Sequence, residues 1–168
     1  MKKVDSRRTR LMDAKTKRCV RLMDAKAKRY ADRVVRRYTD SVVTSIVERA
    51  KGLLEKAAGM VDSSIQRLKK ENDVSSIKEL ILAKKKLIGA IALLTRIPNP
   101  ATGAASVVGV AGVVKILSMV LPLISAAAVI LVPLRGLATL AAPALAIKGA
   151  SALIKKAIEI AKSSPEEA

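Results

Sequence analysis

The 168-residue chain contains no histidine, phenylalanine or tryptophan, and its only aromatic residues are Tyr30 and Tyr38. A core without large rings must be built from Leu, Ile, Val, Ala and Met, which favours packed helices over a sandwich of sheets. The sequence also has no glycine-rich phosphate loop and no nucleophile placed beside a base. These absences predict an all-α protein that is not an enzyme.

Cysteine is almost absent as well. Cys19 is the single cysteine, so it has no intrachain partner for a disulfide. Without histidine and with one thiol, no cluster of soft metal ligands can form at the usual spacings. We therefore expect no cofactor and no metal site.

Proline and glycine are missing from the first part of the chain, which instead carries a repeat. Residues 10–20 and 21–31 agree at eight of eleven positions, and no proline occurs before Pro98. Eleven residues make three helical turns, so each unit presents the same face about 16 Å further along the axis. This predicts a long helix over about residues 5–71. Gly52 and Gly59 are its weak points, suited to a bend or a close helix contact.

The repeat is strongly basic. Residues 1–40 hold 15 Lys and Arg against five Asp, and the whole chain has a formal net charge of +18. Charged rows on a helix are often only a solvated face, but arginine forks match phosphate geometry, which favours a polyanionic partner. Because nothing resembles a base-reading motif, the expected contact is with a duplex backbone of any sequence. The residues predicted to contact nucleic acid are Lys3, Arg7, Arg8, Arg10, Lys17, Arg18, Arg21, Lys28, Arg29, Arg33, Arg36 and Arg37.

Two interruptions divide the chain into three parts. Asn72-Asp73 breaks the helical pattern, and Ser76-Ile-Lys-Glu79 is typical of a capping box that opens a second helix. Pro98 and Pro100 end that helix, because the residue before each proline avoids the helical region. The predicted parts are a basic helical arm (1–73), a second amphipathic helix (74–97), and an apolar helical region with an amphipathic tail (98–168).

The third part is nearly free of charge. Residues 97–114 and 116–134 carry none, and each run is about long enough to span a bilayer core. Small residues recur within it and permit close helix approach, while Pro122, Pro133 and Pro143 divide its later portion into short segments. One chain is not expected to bury so much apolar surface, so other copies, lipid or both should cover it. The residues assigned to this apolar layer are Gly103, Ser106, Gly109, Gly112, Pro122 and Pro133.

The overall organisation resembles the helical capsid and nucleocapsid proteins of double-stranded DNA viruses of hyperthermophilic archaea. The features that carry the resemblance are the basic helical arm, the all-helical apolar body and a composition poor in heat-labile residues, with two Asn, one Gln and one Cys. The resemblance implies many copies of the chain that coat or wrap a genome, in some groups beneath an envelope.

The sequence thus predicts a structural virion protein. It would self-assemble and package double-stranded DNA through phosphate contacts, while its apolar half forms an inter-subunit or membrane-contacting layer. The alternative is a membrane protein, such as a pore or a holin-like bundle, whose basic helix lies on anionic lipid. The expected partners are therefore nucleic acid, other copies of the chain and a membrane or envelope.

Overall fold

The computed structural model describes residues 2–97, 110–132, 134 and 140–163, with side chains from Thr16 onward in these ranges except that of Val110. Four helices make up the fold: α1 (Lys2–Glu71), α2 (Val74–Leu94), α3 (Val110–Leu131) and α4 (Ala141–Lys162). No strand occurs in the described residues. The predicted all-α class is confirmed.

The chain forms two compact units, residues 1–38 and residues 39–168, and the boundary lies within α1. We call residues 1–38 the arm and residues 39–168 the bundle. The long first helix is present as predicted, because 70 residues without proline keep every backbone hydrogen bond available. Gly52 and Gly59 are not sites of close packing, since a Cβ at either would meet nothing within 4 Å.

A two-residue turn joins α1 to α2. Asn72 adopts the left-handed conformation (φ 57°), which commonly ends a helix. Asp73 is then the N-cap of α2, and its side chain accepts a hydrogen bond of 3.2 Å from the backbone N–H of Ser76. The predicted turn is confirmed, but the predicted capping box at Ser76 is wrong. Asp73 caps the helix one turn earlier, so Ser76 is already the third helical residue.

Loss of the Asp73 cap should lower the stability of the bundle. Hydrogen bonds from Ser76, first its side chain and then its backbone, lower the pKa of Asp73 below its ordinary value of 3.8. The contribution of the carboxylate is complete above pH 3.8 and is lost as the pH falls through the lower pKa of the folded state. We expect Asp73→Ala to lower the melting temperature at pH 7.

Asp73→Asn is the matched control, because asparagine caps helices as well as aspartate but does not titrate. It should keep most of the stability at pH 7 and remove this contribution to acid sensitivity. Thermal unfolding followed by circular dichroism between pH 2 and 7 measures both effects. Equal melting temperatures for Asp73→Ala and the unchanged protein would contradict the assignment.

A single hydrophobic core lies inside the bundle, and all four helices contribute to it. Within each helix the buried residues alternate in steps of three and four, which gives the seven-residue period of helices packed side by side. We call these residues the core seams. The seam of α1 is Val43, Val47, Ala50, Leu54, Ala57, Val61, Ile65 and Leu68. The seams of the other helices are Leu80, Ala83, Leu87, Ala90 and Leu94 in α2, Leu117, Val120, Ile124, Ala127 and Leu131 in α3, and Pro143, Ile147, Ala150, Ile154, Ala157 and Ala161 in α4.

Contacts between the helices follow from these seams. Lys84 of α2 forms an ion pair of 2.6 Å with Asp62 of α1, and both residues lie eleven positions from the cap Asp73. That symmetry is expected of two antiparallel helices joined by a short turn. A Cβ added at Gly149 of α4 would lie 3.3 Å from Leu53 Cδ1, so α4 closely approaches α1.

One polar side chain, Ser64, is buried with the core residues of α1. Its hydroxyl donates a hydrogen bond of 3.0 Å to the carbonyl oxygen of Met60, one turn earlier in the same helix. A buried hydroxyl without a partner would destabilise the core, and this internal bond removes that cost.

Pro122 does not divide the apolar region as predicted. It lies inside α3, which continues to Leu131. A proline in a helix leaves the carbonyl four residues earlier without its usual donor. Here Pro122 and Ser118 are both exposed, so that carbonyl is on the outer side of the helix, where solvent can reach it.

The expectation that one chain cannot bury its apolar half is corrected in part. Leu117, Ile124 and Leu131 of α3 are buried within the single chain, because α2 and α4 pack on either side of them. Met119 and Val129 remain exposed on the same helix, with 48% and 69% of their surface accessible. In the described part of α3, this outer face is left for lipid or another copy to cover.

Candidate nucleic-acid interface

The predicted nucleic-acid contacts all lie on the arm, which is helical from Lys2 onward. The side chains of Lys3, Arg7, Arg8 and Arg10 lie outside the described ones. The remaining eight predicted residues lie between Lys17 and Arg37, and all of them are exposed except Arg36, which is half-buried. The described cations of the arm, apart from Arg36, are therefore accessible to solvent.

The spacing of these cations follows the eleven-residue repeat. Arg18 and Arg29 occupy equivalent positions, as do Lys17 and Lys28, so each pair is separated by about 16 Å along the helix. Arg21 lies three residues from Arg18 and shares its side of the helix. We call the side that carries Arg18, Arg21 and Arg29 the arginine edge.

Acidic residues only weakly offset this charge. Residues 16–38 contain nine Lys and Arg but only Asp24 and Asp32 as acids. Lys26 belongs to the same exposed set, although it is not among the predicted contacts. It occupies the same repeat position as Lys15, so the eleven-residue repeat itself marks it as a recurring cation.

The core seam of α1 stops where the arm begins. Continued backward from Val43 in steps of three and four, it would reach Asp40, Arg36 and Arg33. Charged side chains at these positions cannot enter an apolar core without a large desolvation cost. The seven-residue packing therefore ends near residue 40, and the described cations of the arm other than Arg36 are exposed.

The arm also exposes apolar side chains. Met23, Tyr30 and Tyr38 have 66%, 71% and 72% of their surface accessible. Apolar residues occur at helical spacing along α1 on both sides of residue 39. Among the described side chains of α1, however, the first buried one is Val43. The arm thus presents both a basic and an apolar face.

Helix α3 is the one described helix that is long and apolar enough to cross a membrane, judged by length and composition alone. The qualifying segment is Ala111–Leu131, of which about a fifth is buried in the bundle (22%). Core helices of water-soluble bundles satisfy the same criterion. Lys115 lies within the segment and is exposed.

The residues predicted to pack in an apolar layer are only partly described. Gly103, Ser106, Gly109 and Pro133 lie outside the described residues. Gly112 is half-buried in the first turn of α3, whereas Pro122 is on the exposed side of that helix. Their role in a layer between copies stays a prediction.

A groove of about 780 Å³ lies between α3 and α4. Its lining is mainly apolar, with Ile124, Ala128 and Leu145, while Lys148 and Lys155 add positive charge. No group of three or more acidic or cysteine side chains that could hold a metal occurs among the described residues. The groove accordingly offers a basic, apolar surface.

The exposed cations of the arm are the strongest candidate site in the described part of the chain. A comparison of the chain with protein-family models, curated proteins and solved structures found no match.

Proposed function

We propose that this chain is a non-enzymatic structural protein that packages double-stranded nucleic acid. The arm neutralises backbone phosphates, and many copies assemble through their apolar surfaces into a virion. The observation that carries the proposal is the charge of residues 16–38, which hold nine cations, eight of them exposed, and only two acids.

A duplex suits this charge better than a small anion does. Equivalent cations recur about every 16 Å along a helix, so the arm resembles a regularly charged rod. Phosphates recur along a duplex in the same way, and each contact releases condensed counterions. Because the described arm has only Tyr30 and Tyr38 as aromatic residues, it offers few platforms on which single-stranded bases could stack.

A virion role rests on the combination of this arm with a bundle that keeps an apolar outer face. The resemblance to capsid and nucleocapsid proteins of archaeal double-stranded DNA viruses supports the same combination. An envelope or a neighbouring copy would cover Met119 and Val129 of α3.

The membrane alternative has one observation in its favour. Segment Ala111–Leu131 is apolar and long enough to cross a bilayer. A pore or holin-like protein would place this segment in lipid and lay the basic arm on anionic headgroups. It would also have to accommodate the exposed Lys115, which lies four residues from one end of this segment.

Binding of the full-length chain to duplex DNA across a salt series tests the proposal. The variant Arg18→Gln/Arg21→Gln/Arg29→Gln removes three exposed cations of the arginine edge. We expect it to weaken binding equally for duplexes of unrelated sequence. The slope of log K against log salt should flatten by about three units, since each phosphate contact contributes about 0.9.

The matched control removes three exposed lysines from the bundle: Lys70→Gln/Lys85→Gln/Lys156→Gln. Both variants have the same net charge, so a general loss of charge would affect them alike. The proposal requires the arm variant to lose much more affinity and slope than the control. Equal losses, or tight binding to anionic vesicles without binding to DNA, would overturn it.

A further inference from the structure

A row of exposed apolar side chains runs along the described part of the arm. It consists of Cys19, Met23, Ala27, Tyr30, Val34 and Tyr38, which are all exposed and follow one another in steps of 4, 4, 3, 4 and 4. We call this row the arm stripe. Met23, Tyr30 and Tyr38 each leave about two thirds or more of their surface accessible (66%, 71% and 72%).

The arm stripe has a different period from the core seams. It repeats every eleven residues over three turns, whereas the seams of the bundle repeat every seven residues over two turns. Apolar seams with an eleven-residue period pack against each other with a slight right-handed supercoil. Two helices pack along their whole length only if their seams share one period.

The arm stripe has a charged border on one side only. At 100° per residue, Lys26 and Arg33 lie beside that border, whereas the exposed Val20 and Ala31 continue the apolar surface on the other side, up to Asp24 and Lys28. An apolar face with one fixed eleven-residue period can pack along a partner helix whose apolar face has the same period. The stripe therefore fits a helix with the same features.

We propose that the arm stripe binds the arm stripe of a second copy, so that two arms form a paired helix. The second copy supplies the matching eleven-residue period, and the arginine edges remain outside the pair. Burial of a tyrosine removes about 150–250 Å² from water. Two tyrosines, Met23 and Val34 therefore provide several hundred Å² per copy, approaching the roughly 800 Å² of a standard interface.

Charge opposes this pairing until it is screened. Each copy brings nine cations and two acids over residues 16–38, so two arms repel each other at low ionic strength. Salt screens exposed charges beyond about 10 Å at 0.1 M. Pairing should therefore strengthen with salt, whereas binding to DNA weakens with it. This inference does not depend on the proposed function, and the opposite salt responses separate the two.

The test uses the full-length chain with single cysteines and a short bis-maleimide crosslinker. Cys19 is the only native cysteine, so Cys19→Ser provides a background without thiols. Adding Ala27→Cys places the thiol at the middle of the stripe, where both parallel and antiparallel pairs bring it near its counterpart. Adding Arg29→Cys instead places it about 200° around the helix, on the arginine edge.

We expect the Ala27→Cys protein to give at least about five times more crosslinked dimer than the Arg29→Cys protein. The yield should rise between about 0.05 and 0.5 M NaCl, as screening predicts. Arg29→Cys removes one cation and reduces repulsion, so this comparison is biased against the proposal. Met23→Gln/Tyr30→Gln/Val34→Gln in the Ala27→Cys protein should abolish the dimer while circular dichroism still reports the helices.

Equal crosslinking at positions 27 and 29 would overturn the proposal, and so would its absence at both. Anionic vesicles provide the remaining control. If the thiol at position 27 is shielded from maleimide only when vesicles are present, the arm stripe binds lipid and not a second copy.

Discussion

Leu87→Ala is expected to destabilise the bundle by about 2–5 kcal/mol, the usual cost of a buried leucine truncated to alanine. Leu87 is completely buried in the seam of α2, where α1 and α3 both contribute to the surrounding core. Truncation removes apolar contacts and leaves a cavity that straight helices cannot easily close.

Leu82→Ala is the matched control, because the same change is made in the same helix at a residue that is 48% exposed. It should cost much less than Leu87→Ala, since alanine is a slightly better helix former and little packing is lost. Urea unfolding followed by circular dichroism measures both free energies. Similar losses of unfolding free energy in the two variants would show that α2 turns a different face toward the core from the one described.

Deletion of residues 1–38 is the second change with a large expected effect. These residues hold 15 Lys and Arg against four Asp, whereas residues 39–168 hold 17 against ten acids. Removal of at least six phosphate contacts should lower affinity for duplex DNA by more than about 100-fold at low salt and flatten the salt slope by about five units. Fluorescence anisotropy with a labelled duplex measures both.

The shortened chain should still fold, because the buried seam of α1 begins at Val43. Its unfolding midpoint should stay close to that of the full-length chain. A chain that lost its cooperative unfolding would show that the arm stabilises the bundle. A chain that kept its affinity for DNA would place the phosphate contacts on residues 39–168.

Much of the fold could be predicted from local signals. The length of α1 followed from the absence of proline before Pro98 and from apolar residues at helical spacing. The turn after Glu71 followed from Asn72 and Asp73, residues that often end and begin helices. These signals act within a few residues, so one sequence contains all of the information.

Which of two adjacent apolar residues enters the core could not be predicted in the same way. Apolar residues occur as adjacent pairs in α1, such as Val42 with Val43 and Leu53 with Leu54. Either member of a pair continues a helical stripe, and only the partner helices decide which one is buried. The structure buries Val43 and Leu54. Choosing between them requires the contacts of α2 and α4, which no local pattern supplies.

Pro122 illustrates a second limit. A proline predicts the end of a helix because it removes one donor and crowds the preceding turn. Its effect depends on whether the freed carbonyl is buried or open, and the local sequence does not contain that information. The charge and the repeat spacing of the candidate site are visible in the sequence, and its binding role stays a prediction. The exposure of Tyr30 and Tyr38 was not, because it depends on where the core ends.

The change of period within α1 has a consequence for how the molecule can vary in length. An eleven-residue unit closes three turns to within about 20°, so one unit can be inserted or deleted in the arm with little rotation of the residues before it. Each such change alters the reach of the arm by about 16 Å. The bundle has no such freedom, because its four helices share layers that would all have to lengthen together. One eleven-residue unit more or fewer would therefore lengthen or shorten the arm on an unchanged bundle.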